Sequence, residues 1–328
     1  MLYPLKFEPI IKEKVWGGKK LKTRLNKPAH TENAGECWEL SGIKNDESYV
    51  SNGFLKGKSL SSIIDEYKED LLGKAVYSIY GSEFPLLIKF IDAADDLSVQ
   101  VHPDDDFAKK NHKENGKNEI WYVLEAEPDA QLVLGLNKKV SKEEYIEAVE
   151  SKTIQNILNR VPVKKGDVAY IPAGRIHAIM KGVLLAEIQQ TSDLTYRIYD
   201  WDRKDLDGKY RPLHTELASQ VVDLEVKTDY LTNYEPIVNQ PVQLIQNKFF
   251  TVSIIEISEK SIYTVSMSNS FIIYIHLEGN AIINSRGNDP TSVKKGETVL
   301  LPACLEGVHL VSETKSTFLE IYIEPYKI

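Results

Sequence analysis

The segments KKGDVAYIPA (residues 164–173) and KKGETVLLPA (residues 294–303) share five of ten residues. Each joins a Lys-Lys-Gly turn to a short apolar run and a Pro-Ala stop. Each also follows a strand-like stretch, WYVLEAEPDA in the first case and IYIHLEGNA in the second. Recurrence of this kind predicts two copies of one β-unit. Other short runs agree: EIWYVL, QLVLGL, VLLAEIQQ, FFTVSIIEI and SFIIYIHL are rich in β-branched and aromatic residues and are bounded by Gly, Pro and Asn. That pattern predicts a mainly β fold, a sandwich or barrel. The polar, proline-bearing stretch YLTNYEPIVNQP is the expected boundary, giving a first domain over 1–235 and a second over 236–328.

Helices are fewer. Leu60, Ile63, Ile64, Tyr67 and Leu71 follow helical spacing after Ser59, with Gly73 as the stop. Ser141 and Glu144 have capping-box spacing, with Val140 and Tyr145 placed as a staple, and the helix is expected to run on, with a break, through TIQNILNRV. The 328-residue chain is long enough for one large domain or two smaller ones. No apolar run approaches the roughly 18 residues of a membrane span, and charges interrupt the amino-terminal stretch, so a cytoplasmic protein is expected. Cys37 and Cys304 lie far apart and form no CxxC, which argues against a disulfide framework or a cysteine-rich zinc site. A net charge of −8 argues against a general nucleic-acid binder, but an anionic small molecule is compatible with local convergence of Lys and Arg.

In SVQVHPDDDF, strand alternation puts Gln100 and His102 on one face, with Val99 and Val101 on the other. Glu119 opens the strand EIWYVL, and His177 follows a Pro-x-Gly turn in GDVAYIPAGRIHAI. A lone histidine on a strand is ordinarily a satisfied structural residue. Two histidines and a carboxylate converging from antiparallel strands instead make the three-ligand set of an open zinc site, or equally of ferrous iron, with Gln100 able to add a neutral oxygen. The DDD at 104–106 lacks calcium-loop spacing and reads as a helix cap or solvated loop. His112 is expected to be exposed, and His30, His214 and His276 have no ligand-spaced partners. In the second repeat Phe271 or Ile272 stands where Glu119 does, no Gln-x-His precedes it, and His309 alone cannot hold a metal.

Gly166-x5-Pro172-x-Gly174-x2-His177 resembles the second signature of the cupin superfamily, and Gln-x-His its first signature with one ligand changed. The inserted PDDDFAKKNHKENGKN departs from typical cupins. That insert, with SVQVHPDD, GKNEIWYVLEA, YIPAGRIHAI and TYRIYDWDR, resembles type I mannose-6-phosphate isomerases of the short bacterial form. VWGGKKL, GECWELSG and FPLLIKFIDA agree with the family's amino-terminal segments. The resemblance covers roughly residues 1–215 and implies two cupin-like barrels, the first holding one zinc ion through Gln100, His102, Glu119 and His177. It implies interconversion of mannose 6-phosphate and fructose 6-phosphate through an enediolate, with Lys117 and Arg197 as the catalytic cations. Lys89, a charge in an apolar strand where the family has a lysine, is expected to line the pocket. Trp16 and Glu36 are expected to shape the sugar site, and Arg175 to meet the 6-phosphate. A zinc-bound hydroxide, a lysine of lowered pKa and a histidine all stay open as the base. An iron-dependent cupin dioxygenase and a non-catalytic sugar-binding cupin are the alternatives.

Overall fold

The computed structural model describes residues 1–267 and 269–324. The first unit contains the strands β1 (Ile10–Gly18), β2 (Ala34–Leu40), β3 (Leu86–Asp92), β4 (Val99–Val101), β5 (Glu119–Ala126), β6 (Gln131–Leu136), β7 (Leu158–Pro162), β8 (Val168–Ile171), β9 (His177–Ile179), β10 (Val183–Gln190) and β11 (Tyr196–Tyr199). They form two facing sheets, ordered β1-β2-β3-β10-β5-β8 and β11-β4-β9-β6-β7. The β3 and β10 sequences are apolar almost throughout because both faces of the larger sheet are covered. Its inner face contributes Ile91, Trp121, Val123 and Leu185 to the barrel interior. Its outer face contributes Phe90, Ile120, Tyr122 and Ile188 to a second core shared with the carboxy-terminal strands.

Those strands again make two sheets. One joins Pro241–Gln246, Thr251–Ile257, Ser316–Tyr322, Ile272–Glu278 and Thr298–Leu301, the other Ser261–Thr264, His309–Ser312, Asn280–Asn284 and Thr291–Lys294. The fold is therefore mainly β, with two barrels and a few helices. The repeated decapeptides occupy equivalent places: Glu119 pairs with Ile171, Ile272 pairs with Leu301, and each partner directly precedes the repeat's proline. Register thus settles that Ile272, not Phe271, stands at the position of Glu119. Two residues on, Trp121 faces Glu187 across the ladder, as Tyr274 faces Glu320. In both barrels the aromatic side chain donates a hydrogen bond to that glutamate. The second barrel has kept this aromatic–carboxylate pair while lacking the counterpart of Glu119.

The helix Leu60–Leu72 begins where expected, the Ser59 hydroxyl accepting from Ser62 N–H, and Ser141 and Glu144 form the complete capping box. The latter helix ends at Glu150, however. Ile154–Asn156 is a single 3-10 turn, and Leu158–Pro162 pairs with β6 as an edge strand, so the expected helical continuation is corrected. Pro162 could not have donated inside a helix, and at a sheet edge its missing N–H costs nothing. Asp104 caps the helix Asp105–His112 by accepting from Phe107 N–H at 2.8 Å. No described helix is long and apolar enough to cross a membrane.

Candidate metal centre

Four strand ends converge inside the first barrel. β4 and β9 are neighbours, with Gln100 opposite His177, and Arg197 on β11 lies opposite Gln100 from the other side. Arg197, Gln100 and His177 therefore form one inward row, since directly opposed residues share a face. His102 follows β4, and Glu119 reaches across from the facing sheet. One ligand atom each of His102, Glu119 and His177 lies within 4.8 Å of the others, and all three residues are buried. The Gln100 amide is 3.3 Å from His177 Nε2.

The hydrogen-bond pattern fixes the state of both imidazoles. His102 Nδ1 lies 2.8 Å from the Leu194 carbonyl and His177 Nδ1 2.8 Å from the Arg175 carbonyl. A carbonyl only accepts, so each Nδ1 carries the proton and each Nε2 presents a bare lone pair. These two Nε2 atoms face each other at 3.1 Å. Burial lowers the pKa of both rings, His177 to about 3, so neither becomes an imidazolium at neutral pH. The Glu119 oxygens, 3.6 Å from His102 Nε2 and 3.4 Å from His177 Nε2, are fully buried, with the Lys117 ammonium beside Oε2. Burial, with the Glu187 charge adding to it, raises the Glu119 pKa. Two facing Nε2 lone pairs with a buried carboxylate beside them are three ligand atoms of the kind and spacing that fit a divalent metal.

Two lysines stand close. Lys117 Nζ is 2.8 Å from Glu119 Oε2 and 3.2 Å from His102 Nε2, and its side chain is almost wholly buried. Lys89 lies in a cross-strand row, Trp38–Lys89–Glu187–Trp121, on the inner face of the larger sheet. Its ammonium is 3.3 Å from Glu187 and 4.0 Å from Glu36, and 5.0 Å from the Trp38 ring centroid.

A model of the phosphomannose isomerase type I catalytic domain matches residues 4–135. The chain is 37% identical over 302 residues to mannose-6-phosphate isomerase ManA of Bacillus subtilis (strain 168), covering 91% of this chain and 93% of that protein. The chain belongs to the type I phosphomannose isomerase family. It is 43% identical over 225 residues to the probable mannose-6-phosphate isomerase GmuF of the same organism, 68% of this chain and 70% of that one. The crystal structure of the mannose 6-phosphate isomerase from Bacillus subtilis superposes with a TM-score of 0.87 at 31% identity, over 98% of this chain and all of the other. The protein is thus an isomerase with the family's fold.

In this phosphomannose isomerase the side chains expected from sequence occupy different surroundings. Gln100, His102, Glu119, His177 and Lys117 come together directly, and Lys89 joins them through Glu187. Glu36 is tied to Lys14 at 3.1 Å and accepts from Trp38 Nε1 at 2.7 Å. Trp16 packs in the barrel interior beside Ile91 and Trp121. The Arg175 guanidinium donates to the Tyr170 carbonyl at 2.6 Å and lies 5.3 Å from the Tyr230 ring centroid, so its backbone carbonyl is what meets the site, through His177. His112, expected to be exposed, is half-buried and 2.6 Å from the Tyr196 hydroxyl. Glu187 was not singled out from sequence. Its signal was there, a lone carboxylate inside the apolar run VLLAEIQQ, as Lys89 is a lone ammonium inside LLIKFID. It accepts from Trp121 Nε1 at 2.8 Å, and that indole packs edge-on against His177 with centroids 5.4 Å apart.

Proposed function

We propose that the protein interconverts mannose 6-phosphate and fructose 6-phosphate through an enediolate, with one zinc ion held by His102, Glu119 and His177 and a neutral oxygen from Gln100. The observation that carries this reading is the buried cluster in which two unprotonated Nε2 atoms and the Glu119 carboxylate converge. Two histidines and a carboxylate leave coordination positions open for substrate, and Gln100 adds no charge. Bound there, the metal supplies a Lewis acid that polarises sugar oxygens.

The chain's own residues then have separable tasks. Isomerisation removes a proton beside a carbonyl and returns it one carbon away, so negative charge develops on two adjacent oxygens. Lys117 lies against Glu119 and His102, and Arg197 stands opposite Gln100 on the neighbouring strand; in this proposal both stabilise that charge. Lys89 cannot be the lysine of lowered pKa. Burial alone would depress it, but Glu187 and Glu36 outweigh burial and raise it above the usual lysine value, so it stays an ammonium. The imidazoles are equally unsuited as base, because each Nδ1–H is committed to a carbonyl and each Nε2 to the metal. We assign Lys89 and Glu36 to the wall that holds the sugar, with Trp16 and Arg175 behind it.

We also propose that the chain divides at residue 235 into a catalytic unit and a carboxy-terminal barrel without a metal, and that it works in the cytoplasm. The buried cations favour an anionic phosphosugar over the substrates of a dioxygenase. A coupled assay for fructose 6-phosphate formation, run with and without chelator alongside metal analysis, tests the reading. Turnover lost on chelation and restored by zinc is expected, with about one ion per chain. Oxygen uptake without isomerisation, or full turnover in metal-free protein, rules it out.

A further inference from the structure

The segment after β11 doubles back on Arg197. Trp201 and Asp202 have φ of 58° and 49°, two successive non-glycine residues in the left-handed region, which Asp tolerates but which costs the bulky Trp201 roughly 1 kcal/mol or more. The surrounding contacts must therefore hold this turn. The Trp201 indole donates to the Leu97 carbonyl at 2.8 Å. The Asp200 carboxylate, buried, receives Arg211 Nε at 2.7 Å and Arg211 Nη2 at 2.5 Å, a bidentate fork across the base of the loop. Arg203 adds a contact to Asp200 at 3.3 Å and reaches Asp95 at 3.2 Å.

Directly after the forked arginine comes Pro212, whose carbonyl accepts from Arg197 Nη1 at 2.8 Å. Two residues later His214 brackets the same residue's backbone. Its N–H donates to the Arg197 carbonyl at 2.8 Å, and its Nδ1 accepts from Arg197 N–H at 3.2 Å. The returning strand of the loop thus grips Arg197 at its peptide and at its guanidinium. A guanidinium on a flexible stem acts on developing charge only if its fork is held in one orientation.

We infer that Asp200 and Arg211 are positioning residues for Arg197: their ion pair pins the loop return, and the loop return places the Pro212 carbonyl that aims the guanidinium. This rests on the catalytic assignment of Arg197 above. Neither residue touches the reacting atoms, so their effect passes through Arg197.

The test is a set of double-mutant cycles on the zinc-loaded full chain, reading kcat, KM, metal content and Tm. Arg197→Ala alone is expected to lower kcat by about 10²-fold. Asp200→Asn should lower kcat by roughly tenfold with KM and metal content near wild type, a loss within the range for ångström-scale misplacement. Placed on Arg197→Ala, it should cause no further loss. Arg211→Lys keeps the charge and removes the fork, and should reproduce the result should Asp200→Asn fold poorly. Equal losses in both backgrounds, or none in the wild-type background, overturn the positioning role while leaving Arg197 in place. Wild-type kcat in Arg197→Ala overturns the catalytic assignment itself, and the inference with it.

Discussion

At Lys117 two functions compete for one ammonium. Its contacts with Glu119 and His102 offset the carboxylate's charge, yet they also place a positive charge beside the atoms proposed to hold the metal. Removing it should therefore not weaken metal binding. We expect Lys117→Ala to retain zinc with an affinity equal to or tighter than wild type while kcat falls by about 10²-fold, as for loss of a donor aimed at developing charge. Metal titration and steady-state kinetics on the same preparation check both halves, and unchanged kcat would exclude Lys117 from the chemistry. Glu36 gives a stability prediction. Burial alone would raise its pKa, but Lys14, Lys89 and the Trp38 indole outweigh burial and hold it at about 2, from an ordinary value of 4.5. A carboxylate depressed by folding contributes stability that is complete above the unfolded value and is lost as pH falls from 4.5 toward 2. The difference is roughly 3 kcal/mol. Urea unfolding at pH 7, 4 and 3 should show Glu36→Gln less stable at pH 7 and with a flatter acid profile. An acid profile of wild-type slope in that variant would show that the Lys14–Lys89 environment does not act through Glu36.

Among the elements, the Pro172-x-Gly174 turn ties the two histidine strands together. Gly174 N–H donates to the His102 carbonyl at 2.9 Å, and three residues later His177 enters β9. Gly174 has φ of 87°, and an added Cβ would lie 3.0 Å from the Val221 carbonyl oxygen. A side chain here meets both backbone strain and a fixed neighbour, so glycine is required by geometry. Gly174→Ala should lower stability by roughly 1–2 kcal/mol and, unlike a remote loop substitution, weaken metal binding, because the turn fixes both His102 and His177. Thermal unfolding with and without added zinc tests this. A variant destabilised to the same degree in both conditions, with wild-type metal affinity, would show the turn to be structural only.

For the whole molecule, the decisive feature is that the central strands of the larger sheet of the first barrel, β3 and β10, have no solvent face. Phe90, Ile120 and Ile188 share one buried cluster with Ile273, Leu300 and Ile321 from the carboxy-terminal barrel, and the amino-terminal Leu5 pairs with Leu300. Cutting the chain at residue 235 would expose that face, a contiguous apolar patch of the kind that drives association. The segment 1–235 alone is expected to aggregate or to unfold without cooperativity, whereas the full chain unfolds in one transition that zinc raises. Monomeric, cooperatively folding 1–235 with full metal binding would refute this. The second barrel then serves the first by covering it, which accounts for a repeat that kept the Tyr274–Glu320 pair and has Ile272 in place of a ligand.

Periodicity and local chemistry alone determined the mainly β architecture, the two repeated units, the caps at Ser59 and Ser141, and the three residues His102, Glu119 and His177 as a candidate ligand set. These are properties of a short window: strand alternation fixes a face within a few residues, and a cap is read from four. The strand at Leu158–Pro162 was not legible, because what makes it a strand is the free edge of β6 and not its own composition. The Lys89–Glu187–Glu36 cluster joins residues from β2, β3 and β10, and its members met only through sheet order. That order, and with it the charge state of Lys89 and the neutrality of the two imidazoles, depends on burial and on neighbours far along the chain. Those are set by tertiary packing, which no local pattern encodes.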